Sequence, residues 1–272
     1  AAIDKAKTTS GVELAFPLQE AYMDVDIKGA TCSPLNDPVY SGPRGIPYKM
    51  IGVQEAWDVI RASGVTLNNV HVGVTDDGLY KGNDEFGNNF ETPGGEDSLA
   101  QPEKDAKGKD KPYSSHGTAV TGIIGANPDN GGQAGVASIL GNKLNVTMSN
   151  IFGNTYGNTQ VQVPDPNDPT KVTVGNATWS LGALVAIKKQ IESGATVINC
   201  SWGSSDAHPA FAAAYKKFFE KMAQDHPKVL FVCSAGNNGK ALDGTKRYPS
   251  GLNLSNMITV GCLDNDGSRI HY

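Results

Sequence analysis

Long hydrophobic runs are missing from this 272-residue sequence: no apolar stretch reaches the roughly 20 residues that a membrane-spanning helix needs, so no membrane span is expected. A strong charge of one sign is missing too. Lys and Arg number 23 and Asp and Glu 28, which leaves −5 at pH 7 and argues against nucleic acid or an anionic membrane as the main partner. Cysteine is scarce. Cys32, Cys200, Cys233 and Cys262 show no CxxC spacing, which argues against a zinc site. The last three lie in apolar, strand-like runs and read as buried free thiols. The five histidines (His71, His116, His208, His226, His271) show no HExxH spacing, so a metal-dependent hydrolase ranks far down. There is no internal repeat, no signal-peptide pattern and no call for an organic cofactor. The first residue is Ala1, not Met, from which a removed leader or a trimmed start is expected.

What is present describes one large domain. With 39% hydrophobic residues and 19% charged, the chain can bury a sizeable core. Pro17, Pro34, Pro38, Pro43 and Pro47 mark residues 1–50 as an irregular N-terminal arm, leaving 51–272 as the domain proper. "IGVQEAWDVIRASG" predicts a short helix with Val53, Ala56, Trp57 and Ile60 on one face and Gly64 as its stop. "NNVHVGVTDDGLY" predicts a buried strand, Val70 to Val74, ending on an acidic turn. The polar residues 91–112 predict a surface loop. "KLNVTMSNIFG" supplies another strand. The remainder alternates: helix in "WSLGALVAIKKQIESG", strand in "ATVINCSWG", helix in "PAFAAAYKKFFEKMAQD", strands in "KVLFVCSAGNNG" and "NMITVGCLD". Unbroken apolar strands alternating with helices predict an α/β fold, a mostly parallel sheet covered by helices on both faces.

In such sheets, binding and chemistry gather at the carboxyl ends of the strands. Asp76, Asp77 and Gly78 follow the first strand, Ser201, Trp202 and Gly203 the strand at 197–199, and Ala235, Gly236 and Asn237 the strand at 230–233. His116 opens a run of small residues, "HGTAVTGIIGA", suited to a closely packed helix. An Asp, a His and an Asn amide are an orienter, a base and an oxyanion donor for acyl transfer.

Together and in this order, "VHVGVTDDGL", "HGTAVTGIIGA", "GATVINCSWG" and "VCSAGNNG" resemble the aspartate, histidine, substrate-wall and oxyanion motifs of the subtilisin-like serine proteases, the subtilases. The resemblance covers residues 51 to 272. It implies a three-layer fold and a serine endopeptidase in which Asp76 orients the imidazole, His116 is the base and Asn237 holds the oxyanion. Ser201, Trp202, Gly203, Ala235 and Gly236 are then substrate-binding residues. "DDGL" and "CSWGSSD" are similar to the kexin-like branch, which implies a preference for basic residues before the cut, read by Asp77 and Asp206. The family also implies structural calcium, for which Asn127, Asp129 and Asn130 in "NPDNGGQAG" are the oxygen ligands, and a secreted or extracytoplasmic location. The family's G-T-S-x-A-x-P serine motif is not found in these 272 residues. A docked second polypeptide carrying that serine is the expected partner, beside polypeptide substrates, with a truncated chain and an abandoned active site as the other two readings. The alternative is a non-catalytic module that grips extended peptides in the same cleft.

Overall fold

The structure, a computed structural model, describes residues 37–42, 45–80, 82–83, 85–87, 90–91, 116–152, 160–165, 168–176, 179–203, 209–237, 242, 247–264 and 266–268. The expected surface loop lies outside the described residues from position 92 onward, as do most of the N-terminal arm, Cys32 and Asp206. Among the described residues, no helix is long and apolar enough to cross a membrane.

The end of the arm folds into two short helices, α1 (Pro38–Ser41) and α2 (Ile46–Met50). Tyr48 of α2 is buried with Val53 and Trp57 of the next helix, α3 (Val53–Ser63), against Ala134. The Trp57 indole completes this contact by donating to the Val136 carbonyl at 3.0 Å. α3 stops where the sequence predicts, because Gly64 adopts the left-handed conformation (φ 63°) that ends helices. Ala56, expected on the buried face, is exposed. Val53 and Trp57 alone fill the seam, so the stripe is narrower than the sequence pattern suggests.

Six strands form the main sheet, in the order β2-β3-β1-β6-β7-β8, with every pair parallel. These are β1 (Val70–Asp76), β2 (Phe90–Glu91), β3 (Leu144–Asn150), β6 (Val197–Cys200), β7 (Leu230–Ser234) and β8 (Met257–Val260). Between them run α4 (His116–Gly125), a 3₁₀ turn at Ser138–Lys143, α5 (Trp179–Glu192) and α6 (Pro209–Asp225). The parallel α/β architecture read from the sequence is therefore the observed one. A separate antiparallel hairpin, β4 (Gln160–Asp165) with β5 (Asp168–Asn176), was not expected.

Alternation along the strands sorts residues to the two faces. Val72 and Val74 of β1 join Leu144, Val146 and Met148 of β3 in a cluster against which Val120 and Ile124 of α4 pack. The second cluster joins Ala183 and Ile187 of α5, Ile198 of β6, Tyr215 and Phe219 of α6 and Phe231 of β7. Helices thus cover both faces, giving three layers. Cys200 and Cys233 are buried free thiols, as expected. Cys262 is a free thiol but exposed, because β8 ends at Val260 and the chain has already left the sheet.

Beneath α5 the interior is polar. Gln190 is fully buried, and its Nε2 donates to Ser149 Oγ at 2.9 Å and to the Thr147 carbonyl at 3.3 Å. The Thr147 hydroxyl donates to Gln190 Oε1 and accepts from His71 Nε2 at 2.8 Å. Gly73 leaves room for this network, since a Cβ there would stand 2.9 Å from Gln190 Oε1. Burial holds the His71 imidazole below its ordinary pKa, with Glu91 and the Gly194 backbone pulling the other way. The unfolded chain then takes the proton first as pH falls. Stability carried by neutral His71 is present above the ordinary value of 6.5 and is lost as pH drops below it. Urea unfolding between pH 7.5 and 5.5 should show stability falling with acid by at most about 1.4 kcal/mol per pH unit from this group. His71→Gln should flatten that slope; an unchanged slope would assign it to another residue.

Candidate active site

β1 ends inside the protein. Its last residue, Asp76, is only 4% exposed, and a carboxylate so placed must be hydrogen-bonded to be tolerated. Asp76 Oδ1 accepts from the Asp77 amide at 2.8 Å and from His116 Nδ1 at 2.8 Å. Its Oδ2 is buried and has no hydrogen-bond partner among the described residues. Burial accordingly pushes the Asp76 carboxyl above its ordinary pKa, while the His116 contact and the Asp77 amide draw it back.

This contact sets the histidine's tautomer. An ionised carboxylate can only accept, so Nδ1 carries a proton, and in the neutral ring the lone pair is on Nε2. The ring is 60% exposed, so that lone pair is open to a reacting group. A buried carboxylate behind an open imidazole is the geometry of a general base.

The first turn of α4 is fixed from the same strand end. Asp77 Oδ2 accepts from the His116 amide at 3.0 Å and Oδ1 from the Gly117 amide at 2.6 Å. Both amides are orphan donors of a helix start, and a carboxylate there also opposes the helix dipole favourably. Asp77 was expected to face substrate; the structure puts both its oxygens on the helix that carries His116. One residue later, Thr118 Oγ1 accepts from the Tyr80 amide at 2.9 Å and ties the turn after β1 to the same helix. Gly117 is needed for this approach. A Cβ on it would lie 2.6 Å from the Gly78 carbonyl oxygen, 2.9 Å from Met148 Cε and 3.0 Å from Asp76 Cβ.

The next two strands end level with β1. Thr75 pairs with Cys200, and Cys200 with Cys233, so Ser201 and Ser234 follow at about the height of Asp76. Ser201 Oγ accepts from Asn199 Nδ2 at 2.9 Å. The Trp202 side chain was expected to line the pocket; it is buried in the core, and its indole donates to Thr75 Oγ1 at 2.9 Å. Trp202 thus pins the loop from below and leaves Ser201 and Gly203 as its open wall. On β7, Ala235 and Gly236 lead to Asn237, which is exposed at a bend beyond the strand end. Gly236 has φ 92°, a conformation that suits glycine. Asp76, His116, Ser201, Gly203 and Asn237 thus border one edge of the sheet.

The calcium candidates Asn127, Asp129 and Asn130 lie on the loop after α4. The Asn127 amide donates to the Glu85 carbonyl at 2.8 Å. The buried Asp37 carboxylate accepts from the amides of Asp129 (2.8 Å) and Gly131 (3.3 Å), and Glu85 Oε1 accepts from that of Gln133 (3.1 Å). Asn130 Oδ1 turns back to the Gly132 amide at 3.4 Å. A calcium cage needs several oxygens converging on one point. Here the carboxylates that reach the loop are turned to its amides, and no group of three His, Cys, Asp or Glu able to hold a metal occurs among the described residues. No metal enters the function proposed below.

One residue at this edge was missed in the sequence. The Arg247 guanidinium lies against Gly203 and Gly236, and no motif around it signalled that placement.

The chain is similar to several known proteins. The sequence model described as the subtilase family matches residues 68–272. A curated relative, the major intracellular serine protease of Bacillus subtilis strain 168, is 28% identical over 232 residues, covering 81% of this chain and 57% of that protein. The chain thus spans a little over half the length of that relative. Among solved structures, the psychrophilic subtilisin-like protease Apa1 of Pseudoalteromonas sp. AS-11 is 18% identical with a TM-score of 0.47, covering 81% of this chain and 41% of that one. The prenylagaramide maturation protease PagA is 18% identical with a TM-score of 0.49, covering 80% and 61%.

Gly117→Ala should cost about 1–3 kcal/mol, because backbone and a buried carboxylate must move to admit the methyl. It should also shift the His116 ring resonances as the Asp76 contact lengthens. Gly122→Ala, where a Cβ meets only the tip of Gln133 at 3.3 Å, should do neither. Equal Tm values for the two variants would contradict the close approach at Gly117.

Proposed function

The chain belongs to the subtilase family, and on that premise we propose that it carries the aspartate, histidine and oxyanion asparagine of a serine endopeptidase. The serine nucleophile comes from polypeptide outside these 272 residues. One observation carries this reading: His116 Nδ1 is held at 2.8 Å by a buried carboxylate while the ring stays 60% exposed.

In the proposed reaction His116 Nε2 takes the proton of the serine hydroxyl as the oxygen attacks the scissile carbonyl. Asp76 stabilises the imidazolium that forms, and its bond to Nδ1 keeps the ring in place. The Asn237 side-chain amide donates to the tetrahedral oxyanion. Collapse of that intermediate breaks the C–N bond, and the proton passes from Nε2 to the leaving amine. The extended substrate lies along Ser201–Gly203, with its backbone paired as an added strand. Support for a basic residue before the cut is thin at Asp77, whose oxygens serve the helix amides.

The test uses natively purified protein, a fluorophosphonate probe and denaturing mass spectrometry. Labelling should fall on a serine in a G-T-S segment, and peptide p-nitroanilides should be hydrolysed. Asp76→Asn should lower kcat about 10⁴-fold by releasing the tautomer. Asn237→Ala should lower it about 10²–10³-fold. Material that takes no label and cleaves nothing, yet binds extended peptides, would make the protein the peptide-gripping module instead.

A further inference from the structure

Arg247 occupies the cleft wall in a way that the reaction above does not use. A Cβ on Gly236 would lie 2.3 Å from Arg247 Cζ, 2.5 Å from Nε and 2.6 Å from Nη2. A Cβ on Gly203 would lie 2.9 Å from Nη2 and 3.1 Å from Cζ. The guanidinium therefore fills the space that side chains at both positions would take. Those glycines belong to the two loops that follow β6 and β7, of which β6 pairs with β1 and β7 pairs with β6. In the proposed reaction Asn237, beside Gly236, holds the carbonyl oxygen of the residue just before the cut and the substrate backbone runs along Ser201–Gly203, so these loops flank that residue.

The charge in that slot is permanent, since arginine does not lose its proton in proteins. Its Nε is buried and has no hydrogen-bond partner among the described residues. A buried donor left unpaired is costly, and one on a cation more so. The fork of a guanidinium matches a planar carboxylate, which can accept two of its N–H groups at once. A lysine or arginine side chain entering the slot would meet a like charge, and an aromatic one would leave the buried Nε without an acceptor. We propose that Arg247 is a specificity-determining residue that selects a substrate with Asp or Glu immediately before the cut. This rests on the cleft being the substrate site of the proposed peptidase. It runs opposite to the basic preference that the kexin-like resemblance implies.

Binding and hydrolysis are read separately. N-acetyl-Ala-Ala-Pro-Xaa amides, with Xaa Glu, Phe or Lys, are titrated into the native protein by calorimetry. The matching p-nitroanilides are assayed for cleavage. The Glu amide should bind at least about tenfold tighter than the other two, as one charge-assisted pair suggests, and its advantage should shrink with added salt. Arg247→Gln should abolish the advantage, Arg247→Lys should keep part of it, and Arg247→Glu should turn the order toward Lys. Circular dichroism checks the fold of each variant. If Arg247→Gln does not fold, the salt dependence and the Arg247→Lys variant decide. Equal binding of the three amides, a preference for Phe or Lys, no binding at all, or an order indifferent to Arg247→Gln would each overturn the assignment. Hydrolysis without a Glu preference removes Arg247 and leaves the peptidase. Glu-selective binding without hydrolysis removes the peptidase and leaves Arg247.

Discussion

The hydrogen bond from His116 Nδ1 to Asp76 Oδ1 joins the last residue of the central strand to the first residue of a helix 40 positions later. Most of the local structure follows from making that bond in a buried place. The carboxylate sits at 4% exposure, so it needs donors, and it takes them from the ring and from the amide of Asp77. The ring must reach it, so helix and strand must approach closely. That approach excludes a side chain at position 117 and leaves glycine. The helix start must not drift, so Asp77 binds its first two amides. Two adjacent carboxylates thus divide the work: Asp76 holds the ring and Asp77 holds the backbone that bears it. The orphaned Oδ2 of Asp76 is the part of the cost left uncompensated, and the raised pKa of this carboxyl expresses it.

The parallel register carries this arrangement sideways. Because β1, β6 and β7 run in one direction and stay in step, their carboxyl ends open together at one edge. Strands in a sheet are about 4.8 Å apart, so the loop after β7 begins about 10 Å from the end of β1. The Trp202 indole locks the middle loop by bonding to Thr75 on β1, the residue before Asp76. Cleft wall and aspartate are therefore fixed to the same strand.

Legibility in the sequence followed the range of the interactions. The parallel sheet and its helices were readable because each apolar run declares its own burial. Gly64 was readable as a helix stop because the left-handed conformation is a local demand. The short distance between Asp76 and His116 was foreshadowed by their motifs and order, and the structure brings the two side chains within 2.8 Å. The β4–β5 hairpin was missed, although "QVQVPDPNDPTKVTVGN" alternates around a Pro- and Asp-rich turn; it pairs only with itself and belongs to no core run. Ala56 was misplaced because helical spacing marks a face without setting the width of its contact. Cys262 was misplaced because an apolar neighbourhood at a strand end does not show where the chain leaves the sheet. Gln190 and Thr147 gave no local signal, since their bonds join α5 to β3 across 43 positions. Arg247 was invisible for the same reason: Gly203 and Gly236 stood in recognised motifs, but nothing around Arg247 tied it to them.

The two charges at the cleft are told apart by what each already touches. Asp77 stands next to Asp76 in sequence, and the kexin-like resemblance of their turn is what suggested a contact with basic substrates. Its two oxygens, however, each accept an amide of the helix end, so the fold already compensates it. Drawing it to a substrate cation would weaken the cap that positions His116. Arg247 stands in the opposite condition. It carries a charge that cannot be removed and a buried Nε with no acceptor among the described residues, within a slot that two glycines leave for it. A substrate gains little by approaching a charge that is already satisfied and much by completing one that is not. The difference in compensation, more than distance along the chain, places the selective contact at Arg247 and makes the favoured side chain anionic.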